Sequence, residues 1–183
     1  MKHLELTIYL ITFLLAACGG HQQQTMITDT DRMLEENPQR ALAVLDSLEN
    51  LGSLSDKEQM HLVWNRAMAH QALGMSLAED EQLPEAIAHY RMDADKQADS
   101  YLLEASYLKW TGREVEAVSA IDRGLAAITD PTKRVQLLTA KADILEHLRQ
   151  YGKAAVVLKE ALGHASPKHE RALLDYKILN FSI

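Results

Sequence analysis

The chain is poor in the residues that punctuate a backbone: 8 glycines and 4 prolines in 183 residues. Turns that need left-handed glycine and breaks that need proline are correspondingly few, which excludes an all-β sandwich. Cysteine occurs once, at Cys18, and aromatic residues make up 5%. After Thr25 no run alternates Val, Ile or Thr with polar residues, so no half-buried strand is indicated. Positive charge is also short. Lys+Arg 19 against Asp+Glu 26 gives a formal net charge of -7, and without a local basic stripe a phosphate backbone is repelled, so no nucleic-acid partner is expected. What is present is helix-forming composition, dominated by Leu and Ala, with 47% hydrophobic and 25% charged residues. A chain of this length and balance can bury a continuous core.

The amino terminus has the layout of a processing signal. Lys2 and His3 precede an apolar stretch from Leu6 to Leu15, followed by Ala16 and Ala17. At about 10 residues that stretch is half the length a spanning helix needs. Glu5 weakens the positive start. Leu15-Ala16-Ala17-Cys18 resembles the bacterial lipobox, in which the leader is cleaved before a cysteine that becomes lipidated. The resemblance implies a signal peptide over 1–17, a lipidated Cys18 with a polar tether over 18–25, and a domain over 26–183. Acyl chains on Cys18 would hold the protein on a membrane without crossing it. By the same resemblance, Gly19 in place of Asp directs the protein to the outer membrane, and a tether without acids through Thr25 places it on the periplasmic face of the cell envelope.

Beyond Thr25 apolar residues recur at three and four spacings, which predicts helices over 26–36, 38–50, 56–78, 84–95, 98–111, 113–127, 132–149, 151–163 and 167–180. Pro38, Pro84, Pro131 and Pro167 stand near helix starts, where the missing N–H costs nothing. Asp130 and Ser166 fit N-caps, Ser55 and Glu58 have capping-box spacing, and Gly52, Gly112 and Gly163 fall just past expected helix ends.

Three segments align: Leu83 to Tyr90, Val115 to Ile121 and Tyr151 to Leu158. Each has a small alanine (Ala86, Ala117, Ala154), a bulky residue four later (Tyr90, Ile121, Leu158) and a third residue three further on (Asp93, Gly124, Ala161). The preceding helices align as His70, Leu73, Gly74 and Leu77 with Tyr101, Glu104, Ala105 and Leu108, and with Leu138, Lys141, Ala142 and Leu145. This pattern resembles the tetratricopeptide repeat, a helix–turn–helix unit of about 34 residues. Pro38, Ala41, Leu45 and Leu48 resemble the second helix of a leading unit. The anchoring alanines, Ala41 included, recur after 45, 31 and 37 residues, and Glu104 and Lys141 replace the large apolar residue the family prefers. The resemblance implies an all-α, right-handed superhelical array of about three to four antiparallel helix hairpins. A generic helical bundle or another paired-helix solenoid would bury the same stripes. Residues 167–183 begin like a further first helix and then turn apolar, which fits a cap, a dimer seam or continuation into a longer protein.

No arrangement indicates catalysis. His61, His70, His89, His147, His164 and His169 are scattered without i, i+4 pairing, so no metal site is expected. There is no nucleophile elbow and no glycine-rich phosphate loop, hence no cofactor. Glu79, Asp80, Glu81, Asp93, Asp95 and Asp99 read as solvated helix ends, and Trp64 and Trp110 as core or edge packing. In the family the first helix of each unit lines a concave face that binds a peptide or protein segment. Carried over by alignment, that face would comprise Gln71, Met75, Leu102, Ser106, Lys109, Gln136, Thr139 and Asp143, mostly polar and uncharged. The expected function is a non-catalytic, membrane-anchored adaptor with an unidentified protein or peptide partner. The alternative is the sensory or adaptor segment of a longer signalling protein.

Overall fold

The computed structural model describes residues 25–49, 54–165, 171, 174, 175, 177 and 178. The leader, Cys18, Gly52, Ser166 and Pro167 lie outside the described residues. Among the described residues every regular element is a helix, so the fold is all-α. The helices are α1 (25–36), α2 (Pro38–Glu49), α3 (Asp56–Ala72), α4 (Leu83–Tyr90), α5 (Gln97–Trp110), α6 (Glu114–Ala127), α7 (Pro131–His147) and α8 (Tyr151–His164). Of the last expected helix, residues 171, 174, 175, 177 and 178 are helical. Contacts divide the chain into two compact units, one ending at Met75 and one beginning at Ser76.

In the first unit, α2 packs on α3 around Ile27, Leu45, Leu48 and Leu62. Pro38 is the first residue of α2, and Asn37 before it accepts from the Arg40 N–H at 3.0 Å. Asn65, buried on α3, donates to Thr30 Oγ1 at 2.8 Å and to Asp31 Oδ1 at 2.7 Å, tying α3 to α1. Thr30 in turn donates to the Ile27 carbonyl at 2.6 Å, so both buried polar side chains are satisfied. Trp64 is buried in α3.

The start of α3 is the expected capping box. Ser55 Oγ accepts from the Glu58 N–H, and the Ser55 N–H donates to Glu58 Oε2 at 2.8 Å. The Ser55 side-chain hydrogen bond, then the backbone one, hold the Glu58 carboxyl below its ordinary pKa. A carboxyl held lower when folded contributes stability above its unfolded pKa and loses it as the pH falls through the folded value. Ser55→Ala is therefore expected to cost about 1 kcal/mol at neutral pH. That cost should shrink on acidification below the ordinary carboxylate range, measured as the difference in urea midpoints at successive pH values.

Two expected helices stop early. α3 ends at Ala72 rather than continuing to 78, because Gly74 takes φ +66° and closes a double turn: Met75 N–H to the His70 carbonyl at 2.8 Å and Gly74 N–H to the Gln71 carbonyl at 3.2 Å. α4 ends at Tyr90 rather than 95. There Asp93 accepts from the Asp95 N–H at 2.9 Å, a local bond that competes with helical hydrogen bonding. Gly163, expected past a helix end, lies inside α8, which runs on to His164.

The second unit contains two hairpins, α5–α6 and α7–α8, each joined by three residues, with α7 also packed on α6 and on α5. Both turns repeat the Gly74 geometry. Gly112 has φ +75°, with Arg113 N–H to the Leu108 carbonyl at 2.8 Å; Arg149 has φ +58°, with Gln150 N–H to the Leu145 carbonyl at 2.8 Å. The left-handed region costs a side chain about 1–2 kcal/mol, partly offset by the entropy glycine loses on folding. Arg149→Gly should therefore raise stability by about 0.5–1 kcal/mol, read as a higher melting temperature.

The hairpins are related by 37 residues. Ala117 and Ala154, Ile121 and Leu158, Gly124 and Ala161, Ile128 and Ala165, and Leu137 and Leu174 are all buried. Arg134 donates to the Leu125 and Ile128 carbonyls at 2.7 and 3.0 Å, and Arg171 to those of Leu162 and Ala165 at 3.3 and 3.1 Å. Each guanidinium satisfies carbonyls at the end of the preceding helix. Proline stands at the helix starts as expected, Pro84 second in α4 and Pro131 first in α7, and Asp130 accepts from the Lys133 N–H at 2.8 Å.

The common register predicted for the first helices does not hold at α3. A shift of 31 residues relates Ala86 to Ala117, but the turn glycines Gly74 and Gly112 are 38 apart. The difference is the connection between α3 and α4, residues 73–82, against the three-residue turns that follow. Its slack is taken up locally: Ser76 accepts from the Ala78 N–H at 3.2 Å and Asp80 from the Gln82 N–H at 3.1 Å.

Candidate functional site

The eight residues assigned to a first-helix face do not all fall on one. Gln71 is on α3 and Met75 lies beyond its end, both in the first unit. With the register corrected, the α3 positions matching Leu102 and Ser106 are Trp64 and Met68. The other six sit on α5 (Leu102, Ser106, Lys109) and α7 (Gln136, Thr139, Asp143), which pack together. Of these only Gln136 is exposed; the rest are half-buried. Asp143 accepts from Lys177 Nζ at 2.7 Å, so the segment after α8 already engages it. Lys109 Nζ lies 5.9 Å from the ring centroid of Trp110, which is itself 44% exposed.

Glu104 and Lys141, the two departures from the repeat pattern, are anchored by ion pairs. Glu104, its side chain 23% exposed, accepts from Arg91 and Arg123, both at 2.8 Å. Lys141 donates to Asp122 at 2.6 Å, and Lys133 to Asp99 at 3.1 Å. Glu104 borders a recess of about 490 Å³ that also takes in Arg91, Arg113, Arg123 and Glu116. Arg113 Nε donates to Glu116 Oε1 at 2.8 Å, and that side-chain bond raises the guanidinium pKa and lowers the carboxyl pKa. Three arginines thus face two glutamates, and both carboxylates are engaged in ion pairs.

A second, larger recess has the opposite character. A groove of about 600 Å³ runs across α6, the end of α7 and the start of α8. Its floor is Val118, Leu145, Leu148 and Val157, and its walls carry Val115 and Val156, 72% and 66% exposed. Lys141 and Lys153 are the only charged residues among those lining it. None of the eight alignment-derived positions lines it. One signal for it is present in the sequence: Ala154-Ala155-Val156-Val157-Leu158 is a longer apolar run than one helix face can bury, so part of it must face out.

Among the described residues no group of three or more His, Cys, Asp and Glu could hold a metal ion, and no helix is long and apolar enough to cross a membrane. No family model, curated protein or solved structure matches this chain.

Proposed function

We propose that this chain is a non-catalytic adaptor of the bacterial cell envelope, anchored through lipid on Cys18 at the periplasmic face of the outer membrane. Its helices form a tetratricopeptide-like array, and a segment of a partner protein docks on it. The observation that carries the reading is the open apolar groove between successive hairpins, with Val115 and Val156 standing in solvent on its two walls. Exposed apolar side chains lining one apolar groove mark a surface built to be covered. The 37-residue equivalence of the hairpins, with Ala117 and Ala154 in matching buried notches, supports the repeat reading.

Two measurements on cells test it. Cys18→Ala should move the protein from the membrane to the soluble fraction; retention on the membrane would remove the anchor. A photo-crosslinking side chain at Val156 should give a discrete protein adduct that Val115→Asp abolishes. Adducts obtained only from Gln136 would move docking to the first-helix face, and none from either position would remove the adaptor role.

A further inference from the structure

We infer that the groove across α6, α7 and α8 receives an acidic, amphipathic segment of another polypeptide, with its apolar side chains between Val115 and Val156 and a carboxylate at Lys153. The inference rests on the docking role proposed above and assigns the chemistry of the docked segment.

Charge sets the sign. The chain carries a net charge of -7, yet both charged residues lining this groove are lysines. Lys141 is held by Asp122, whereas Lys153 has no ion pair among the described residues. The acids nearby have other neighbours or stand in solvent: Glu114 lies 3.5 Å from His147 Nδ1, Glu116 pairs with Arg113, Asp122 with Lys141 and Glu160 with Arg134, while Glu146 on α7 is exposed. None of them lines the groove. Lys153 sits in the first turn of α8, which contains no acidic residue, and Gln150 makes no side-chain cap, so the helix end adds to the same positive field. At the equivalent place in the preceding hairpin the residue is Glu116, and the recess there is lined by carboxylates and guanidinium groups paired with one another. The two sites therefore share a backbone plan and differ in that one lining carries both signs of charge and the other only lysines.

Shape selects a polypeptide. With both wall valines largely in water, a single acyl chain would leave much of its surface exposed, whereas ligand sites for small apolar molecules enclose them. A segment presenting apolar side chains at helical spacing covers both walls at once. A second copy docking groove to groove would bring together two linings whose charged residues are all lysines, which opposes a symmetric pair.

The test uses the full chain and two synthetic amphipathic peptides with identical Leu and Val positions, one flanked by Glu and the other by Lys, titrated by fluorescence anisotropy. The Glu peptide should bind about ten-fold more tightly at low salt, and the preference should shrink as salt rises. Lys153→Glu should reverse the preference. Val156→Asp should abolish binding of both peptides while leaving circular dichroism and the melting temperature unchanged, as expected for a residue 66% exposed. Equal affinity for the two peptides, a preference untouched by Lys153→Glu, or displacement of the Glu peptide by laurate would overturn the inference. So would sedimentation showing a dimer that Val156→Asp dissociates. A Val156 adduct in cells combined with equal peptide affinities would remove only the charge assignment and leave the docking role standing.

Discussion

Gly124→Val should lower the stability of the unit beginning at Ser76 by about 2–3 kcal/mol, the upper part of the range for overpacking a close helix contact. For a unit of roughly 100 residues this is a drop of about 10 °C or more in melting temperature. A Cβ at Gly124 would lie 3.0 Å from both Cβ and Cγ of Tyr101 and 3.1 Å from Cδ2 of Leu137. The Tyr101 atoms sit next to the α5 backbone, so relief requires moving the helix and not merely turning a side-chain tip. Helix propensity works the other way, favouring valine over glycine by a few tenths of a kcal/mol. The contact term is larger and decides the sign. Gly163 supplies the control: it is also helical, but a Cβ there meets nothing within 4 Å. Gly163→Ala should therefore leave the melting temperature unchanged or raise it slightly. If Gly124→Val melted with the wild type, the close approach of α6 to α5 and α7 would be disproved.

The second large effect separates two neighbours on α8. Leu158 is fully buried among Leu138, Ala142 and Ala154, whereas Val156 is on the groove wall. Leu158→Ala should cost about 3 kcal/mol, because truncation forfeits the transfer free energy of the lost methyl groups and leaves a void the helices fill only partly. Val156→Ala should change stability by less than about 0.5 kcal/mol, since alanine is the better helix former and little packing is lost. Denaturant unfolding measures both: the midpoint should shift for Leu158→Ala with an unchanged slope, and stay put for Val156→Ala. Equal losses at the two positions would mean that the outward wall of the groove is covered, leaving no docking surface there.

Much of the fold was legible because it is local. Helix periodicity, proline at helix starts and capping side chains act within a few residues, so α5, α6, α7 and α8 lie within a residue or two of their expected bounds. The matched small residues at Ala117, Ala154 and Gly124 were likewise readable, since close helix approach demands small side chains wherever it occurs. The register at α3 was not. Gly74 gives no sign in the sequence of whether it ends a helix or interrupts one, and the longer connection after it shifted Met75 off the helix onto which the alignment had placed it. The candidate site was less legible still. Asp143 reads as an available acid until Lys177, 34 residues away, is seen to hold it.

The sequence by itself determined the helical class, most helix starts and the sign of the overall charge, because each depends on neighbours along the chain or on composition alone. Only the tertiary structure decided which of two equivalent recesses is lined with ion pairs and which is mostly apolar. That outcome depends on side chains brought together from three helices: Glu104 and Lys141 hold equivalent places on α5 and α7, but one gathers two arginines while the other turns to a single aspartate beside a groove of valines and leucines.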